Sequence, residues 1–189
     1  MRELEAIDRT QRTLDLPAAE RLRALAPDAG VALAALAADV PPGPDFTFVE
    51  LGTGAGYSTL WLVHATAARA PAPSIVTVEA DPAKHTRAAD TFARAGVADR
   101  VEQRLGDAAA EVATLGPIAL AFFDHGPQRY ELARPAVVER LVPGGVLVAD
   151  NVVSHAAIVA PFIAALATDT RFSIDVLPLG RGLLVARRR

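Results

Sequence analysis

The stretch "FVELGTGAGYSTLWL", residues 48–62, places three closely spaced glycines between two apolar runs. The first run is short, as a buried strand would be, and the second is long enough for a helix. Strand, glycine turn and helix in this order are typical of the ligand-binding edge of an open α/β sheet. The stretch therefore predicts both a fold class and the place where a ligand binds.

The remainder of the chain continues the same alternation. Strand-like runs occupy 74–80, 100–105, 118–124, 146–150, 171–177 and 182–189, and helix-like runs occupy 81–96, 107–116, 127–145 and 161–169. Residues up to about Asp39 look helical, with helices starting at Pro17 and Pro27. The pattern predicts an α/β fold: a Rossmann-like doubly wound, mostly parallel seven-stranded sheet with helices on both faces. The last strand is expected to be antiparallel, because the link "PLGR" at 178–181 is too short for a crossover.

Length and composition narrow the classes of function. The 189 residues predict one domain, with N-terminal helices at 1–40 and a ligand-binding α/β core at 45–189. A net charge of -3 argues against nucleic acid as a partner. The lack of cysteine excludes disulfides and thiolate chemistry. The charged first residues and the lack of a long apolar run predict a cytoplasmic protein with no membrane segment.

Each predicted parallel strand stops at an acidic or amide residue. Ligands in such sheets bind at the carboxyl ends of the strands, so these residues are the candidates for a site. They are Glu50, Glu79, Asp107, Asp124, Asp150 and Asn151.

The glycine spacing favours one ligand class over another. Gly52, Gly54 and Gly56 do not have the G-x-G-x-x-G spacing of a dinucleotide site, since the third glycine comes one position early. Glu50 would also repel a pyrophosphate, and residues 45–68 contain no lysine or arginine to offset it. S-adenosylmethionine carries a sulfonium and an ammonium, so an acidic rim attracts it. The alternative is a turn that serves only to pack the helix on the strand.

From about Leu25 onwards the chain resembles the class I S-adenosylmethionine-dependent methyltransferases. Within them it is similar to the cation-dependent O-methyltransferases of the catechol and caffeoyl-CoA type, whose first motif the stretch "VELGTGAGYS" at 49–58 resembles. The resemblance implies that the glycine turn lines the methionine moiety, that Ser58 binds its carboxylate and that Glu79 binds the ribose hydroxyls. Asp107 and Ala108 would contact adenine, although Asp107 is equally suited to be the N-cap of the next helix. The implied cofactor contacts are Glu50, Gly52, Thr53, Gly54, Gly56, Tyr57, Ser58, Glu79, Ala80, Asp107, Ala108, Asp124 and His125.

A second group of residues suits a divalent cation. The segments "FFDHGPQRY" at 122–130 and "GGVLVADNV" at 144–152 put Asp124, Asp150 and Asn151 at the ends of successive strands. Three side-chain oxygens with no histidine or cysteine among them suit a hard cation such as Mg²⁺. In the resembled family these positions are the metal ligands. The alternative is that Asp124 caps the next helix while the other two residues shape a turn.

One position departs from the resembled family. Its catechol-type members carry a lysine three residues after the first metal-binding aspartate, where this chain has Pro127, and the sole lysine of the chain is Lys84. Either the cation alone activates the acceptor hydroxyl, or His125 or His155 acts as the base with a near-neutral pKa. Acceptor-lining candidates are Tyr57, Trp61 and Tyr130.

Taken with the resemblance, these residues predict an enzyme. It would be an S-adenosylmethionine-dependent, Mg²⁺-dependent O-methyltransferase for a small catechol-like or vicinal-oxygen acceptor, with Asp124, His125 and His155 as catalytic residues. The resemblance also favours a homodimer. Two alternatives stay open: a metal-independent methyltransferase of other acceptor chemistry, and a protein that binds the cofactor without turnover.

Overall fold

The computed structural model describes residues 1–14, 22–41, 43, 45–70 and 72–189. The helices of these residues are α1 (Arg2–Arg12), α2 (Pro27–Asp39), α3 (Tyr57–Ala65), α4 (Pro82–Ala95), α5 (Ala108–Val112), α6 (Tyr130–Arg140) and α7 (Ala156–Thr168). The strands are β1 (Thr47–Leu51), β2 (Ser74–Glu79), β3 (Val101–Leu105), β4 (Ile118–Phe123), β5 (Leu141–Ala149), β6 (Phe172–Leu177) and β7 (Leu183–Arg188).

The strands form one sheet in the order β3-β2-β1-β4-β5-β7-β6. Neighbouring strands from β3 to β5 are parallel, and β7 is antiparallel to both β5 and β6. The predicted doubly wound sheet with an antiparallel last strand is therefore confirmed. The chain leaves β1 for β2 on one side and reaches β4 on the other, so the strand order reverses between β1 and β4. A crevice opens at such a point, at the carboxyl ends of the strands.

Alternate residues along each strand pack into two separate cores. Val49 and Leu51 of β1 face the core beneath α5, α6 and α7, whereas Phe48 faces the core beneath α2 and α3. A two-residue repeat in which both faces are apolar is the signature of a strand buried between two helical layers. The packed sheet thus holds the residues at the strand ends in fixed positions.

Some predicted element bounds are wrong. The helix predicted to reach residue 145 ends at Arg140, because Leu141 already pairs with Ile118 in the sheet. The last helix begins at Ala156 and not at the predicted Pro161, which lies inside it. The helix predicted from Pro17 lies partly outside the described residues, and residues 22–26 form no helix.

No helix in the described ranges is long and apolar enough to cross a membrane.

Candidate active site

A cleft of about 470 Å³ opens at the carboxyl ends of β1, β2 and β4. It brings together most of the residues singled out from the sequence. Those that line it are Gly52, Thr53, Gly54, Tyr57, Ser58, Glu79, Ala80, Asp107, Ala108, Asp124, His125, Asn151 and His155. Glu50, Gly56 and Asp150 lie behind its wall and do not line it.

The glycine turn approaches the end of β4 closely. Gly52 has φ +100°, and a Cβ placed on it would lie 2.6 Å from the backbone nitrogen of His125 and 2.8 Å from the carbonyl carbon of Asp124. Any side chain at this position would have to displace backbone atoms, and the left-handed conformation itself disfavours residues other than glycine. Gly52 therefore lets the turn and the Asp124 strand end meet at one edge of the cleft.

Glu50 does not provide the acidic rim that the sequence suggested. Its carboxylate is fully buried under the turn, where it accepts hydrogen bonds from the hydroxyls of Thr59 and, at 2.6 Å, Thr77. Burial raises the pKa of Glu50. This side chain does not line the cleft, and a cofactor contact through it stays a prediction. Because Thr77 is paired with Glu50 in the sheet, both side chains lie on the same face and meet in one polar cluster with Thr59.

Glu79 is the carboxylate that does face the cleft from this side. One of its oxygens accepts from the backbone N–H of Gly54 at 2.9 Å, and the other accepts from the N–H groups of Ala80 and Asp81 at 3.0 Å each. Three backbone donors fix the carboxylate and leave one of its four acceptor positions open, on the oxygen that accepts from Gly54. The carboxylate is thus held in place at the cleft, where it can accept from a hydroxyl group of a ligand.

Asp107 serves as the N-cap of α5. One carboxylate oxygen accepts from the N–H groups of Ala109 and Ala110, at 3.1 and 3.2 Å, while the other lies 3.2 Å from Arg129. The capping interpretation is confirmed. The side chain also lines the cleft, so an adenine contact by Asp107 or Ala108 remains a prediction.

Asp124, Asp150 and Asn151 meet at the other end of the cleft. The side-chain amide of Asn151 donates to Asp124 at 3.0 Å, with Asn151 in a left-handed turn at φ +66°. The side chain of Asp150 is 1% exposed, and neither of its carboxylate oxygens has a hydrogen-bond partner among the described residues. Asp124 does not cap the helix that follows, because the caps there are Gly126 and Arg129.

The acidic pair has unusual electrostatics. Burial, together with the charge of Asp150, raises the pKa of Asp124 well above its ordinary value, and burial likewise raises the pKa of Asp150. A buried carboxylate without hydrogen bonds is costly unless a cation or a proton compensates it. Two carboxylates and an amide oxygen are also the donors that hard divalent cations prefer. The residues present therefore fit such an ion.

Arg181 also stands beside this pair, and sequence reasoning missed it. It lies in the turn between β6 and β7, and its guanidinium is 3.5 Å from Asp150. The "PLGR" turn carried no signal of this contact, because Arg181 and Asp150 are separated by two elements of the chain.

The two histidines differ in suitability as a base. Burial lowers the pKa of His125 to about 4, and its ring nitrogens have no hydrogen-bond partner in the described part of the chain. The expected near-neutral pKa is therefore wrong for His125, whose ring packs near Phe123 and Tyr130. His155 lies at the start of α7, with Nδ1 2.9 Å from the hydroxyl of Ser154.

Of the three aromatic residues expected to line the acceptor site, only one lines the cleft. Tyr57 lines the cleft and donates a hydrogen bond to Glu5 of α1 at 2.7 Å. Trp61 does not line it, and Tyr130 is fully buried with its hydroxyl 3.0 Å from the carbonyl oxygens of Phe123 and Asp150. Residues 22–25, which precede α2, supply a wall that the sequence did not indicate.

Comparison with known proteins agrees with this geometry. The sequence profile of a family described as "Methyltransferase domain" matches residues 49–152. The chain is 34% identical over 138 residues to a catechol O-methyltransferase of Mycobacterium tuberculosis, covering 71% of this chain and 61% of that protein. It is 33% identical over 110 residues to a catechol O-methyltransferase of Niastella koreensis, covering 56% and 48%. The match thus spans about half to three-fifths of the length of these relatives.

Solved structures share the fold over nearly the whole chain. The O-methyltransferase TomG of Streptomyces achromogenes, determined in complex with SAM, superposes with a TM-score of 0.79 at 26% identity. The superposition covers 98% of this chain and 88% of that one.

Proposed function

The chain belongs to the O-methyltransferases among the class I S-adenosylmethionine-dependent methyltransferases, and on that premise we propose its reaction. It transfers the methyl group of S-adenosylmethionine to one of two vicinal oxygens of a small catechol-like acceptor, with the help of a divalent cation. The observation that carries the proposal is the buried carboxylate of Asp150, without a hydrogen bond among the described residues, beside Asp124 at the end of the cleft.

The cofactor end of the cleft is assigned to the β1 and β2 strand ends. Glu79, fixed by three backbone donors, would accept a hydrogen bond from a ribose hydroxyl. Ser58 stands in the first turn of α3, where unpaired backbone N–H groups favour the cofactor carboxylate. With the cofactor held there, Asp124 and its neighbours would be left for the acceptor.

The acceptor end is assigned to Asp124, Asp150 and Asn151, which would hold the cation. A bound divalent cation would supply Lewis-acid activation, lowering the pKa of the acceptor hydroxyl. His155 borders the same end of the cleft and can take up the released proton. His125, which stays neutral at physiological pH, contributes an uncharged wall rather than a base. Orienting the two reactants in line can itself lower the barrier by about 7 to 11 kcal/mol.

A methyltransferase without a metal is the second candidate. Arg181 already provides a positive charge 3.5 Å from Asp150, and Pro127 stands where the resembled family has its lysine. In that case the acidic pair would hold a guanidinium instead of a metal ion, and the acceptor would need no vicinal oxygens. Magnesium as the particular cation, a homodimer and a cytoplasmic location remain predictions.

One experiment separates the candidates. S-adenosylhomocysteine binding is measured by calorimetry, and methyl transfer to a catechol panel is measured with Mg²⁺ and with EDTA. We expect the protein to bind the cofactor and to transfer the methyl group with Mg²⁺ but not with EDTA. Asp150→Asn should abolish transfer, whereas Asp175→Asn, a matched change at an exposed position of β6, should not. Transfer that is indifferent to EDTA and to Asp150→Asn would favour the metal-independent enzyme. Lack of cofactor binding would rule out both.

A further inference from the structure

We propose that Arg181 binds an anionic group on the acceptor, so that the preferred substrates are vicinal-dihydroxy aromatic compounds bearing a carboxylate. The inference rests on the proposed function for the reaction itself, and it adds the substrate class and the residue that selects it. It is carried by the position of Arg181, by the unused donors of its guanidinium and by the charge balance of the site.

Hydrogen bonds hold the turn that carries Arg181 on two sides. The carbonyl oxygen of Arg181 accepts from the N–H groups of Val153 and Ser154, at 3.1 Å each, in the segment that follows Asn151. The N–H of Gly180 donates to Asp28 at the start of α2, at 3.2 Å. The backbone of Arg181 is therefore held at the acceptor end of the cleft, next to the candidate metal ligands.

The guanidinium itself has spare binding capacity. Its side chain is 36% exposed and lines the cleft, and within the described ranges it donates no hydrogen bond. Its contact with Asp150 is an ion pair through one nitrogen at 3.5 Å, and among the described residues the other N–H donors have no partner. A planar fork of donors facing a cleft is the geometry that binds a carboxylate with two parallel hydrogen bonds.

Other cations that line the cleft are placed differently. Arg129 is paired with Asp107 at 3.2 Å, and Lys84 and Arg87 belong to α4, the helix after Glu79 on the cofactor side. Arg23 belongs to the segment before α2. Arg181 is the one that contacts the acidic pair.

The charge balance of the site calls for an anion. Asp124 and Asp150 carry two negative charges, which a divalent cation balances completely. Together with the positive charge of Arg181, the two carboxylates and the ion would carry a net charge of +1, and the ion would repel the guanidinium toward the cleft that its side chain lines. An acceptor with one negative charge restores neutrality, and such complementarity confers specificity.

The test compares two probes that differ in charge. Protocatechuate, a catechol with a carboxylate, and its methyl ester are titrated by calorimetry into protein loaded with Mg²⁺ and S-adenosylhomocysteine. The variants are Arg181→Gln, Arg181→Lys, Arg23→Gln and Arg187→Gln, the last a matched control on β7 whose exposed ion pair with Asp39 lies outside the cleft. Thermal unfolding confirms that each variant is folded.

We expect Arg181→Gln to weaken binding of the acid by about 10- to 100-fold, the size of a hydrogen-bonded charge pair, and to leave the ester unchanged. Arg181→Lys should recover part of the loss, and Arg187→Gln should behave as wild type. An equal effect of Arg181→Gln on both probes, no effect on either, or an acid-selective loss in Arg23→Gln instead would overturn the proposal.

The same variants, assayed with S-adenosylmethionine in place of S-adenosylhomocysteine, keep the inference separate from the proposed function. Methyl transfer to both probes without the acid-selective loss would leave the proposed function intact and overturn the role of Arg181. An acid-selective loss of binding without any methyl transfer would support the role of Arg181 and contradict the proposed reaction.

Discussion

At the scale of single residues, the buried acid pair dominates the electrostatics of the site. Asp124 and Asp150 are close enough for the charge of one to raise the pKa of the other, and burial raises both. A proton, the guanidinium of Arg181 or a bound cation can each relieve this repulsion. Such groups are kept for binding at the expense of stability, as is common in functional sites.

The acid pair makes the stability of the metal-free protein depend on pH. Because the folded-state pKa of Asp124 is raised above 3.8, its stabilising contribution is complete below that value and is lost as pH rises through the folded pKa. Asp124→Asn removes this loss, so we expect the variant to be more stable than wild type at about pH 8. Urea unfolding from about pH 4 to about pH 8 measures the difference.

Mg²⁺ should make wild type more stable than Asp124→Asn, the reverse of the order without the ion. Saturating Mg²⁺ stabilises wild type by binding the folded state, whereas Asp124→Asn loses a ligand and should gain little. Asp175→Asn, on the exposed edge strand, is the control for removal of a surface charge and should follow wild type. If Asp124→Asn is no more stable than wild type at about pH 8 without Mg²⁺, the buried-pair explanation is contradicted.

At the scale of elements, the turn between β1 and α3 determines how closely the two halves of the cleft approach. Gly52 and Gly54 both have positive φ, but their surroundings differ. A Cβ on Gly52 would collide with backbone atoms at the end of β4, while a Cβ on Gly54 would meet no atom within 4 Å. The first glycine is needed for space and conformation, the second for conformation alone.

This difference predicts unequal costs for two matched substitutions. Gly54→Ala should lose about 1 to 2 kcal/mol of unfolding free energy, the cost of a left-handed non-glycine residue. Gly52→Ala should lose roughly 1 to 3 kcal/mol more, because the turn and the end of β4 must move apart. Urea unfolding without cofactor measures both, and equal losses would show that the close approach does not constrain the turn.

At the scale of the whole molecule, the N-terminal part completes the cleft that the sheet begins. Asp8 of α1 accepts a hydrogen bond from the N–H of Ala24 at 3.1 Å, and Gln11 accepts one from the N–H of Leu22 at 2.7 Å. The segment at 22–25 is thereby held in the wall of the cleft, and Tyr57 links α3 to Glu5 of α1. The cofactor cleft thus depends on contacts between parts of the chain that are distant in sequence.

Loss of the Asp8 contact should weaken cofactor binding. Asp8→Ala leaves the N–H of Ala24 without its partner, so we expect a loss of about 1 to 3 kcal/mol in stability and a severalfold lower affinity for S-adenosylhomocysteine. Glu3→Ala, which breaks an exposed ion pair with Arg94, should leave both stability and affinity nearly unchanged. Calorimetry with unchanged affinity in Asp8→Ala would show that α1 does not shape the cleft.

The sequence by itself determined the order of elements, the parallel sheet, the antiparallel last strand and the edge at which a ligand binds. These follow from local periodicity, turn residues and link lengths, which are properties of short segments. The glycine turn and the residues at the strand ends were therefore identified from the motifs.

Only the tertiary structure decided which of those residues face the cleft and which cations stand beside them. Glu50 is buried and Glu79 is the carboxylate at the cleft, His125 has a pKa of about 4, and Arg181 reaches Asp150 from another turn. Burial, desolvation and ion pairing depend on atoms brought together from distant parts of the chain, and no local pattern encodes them.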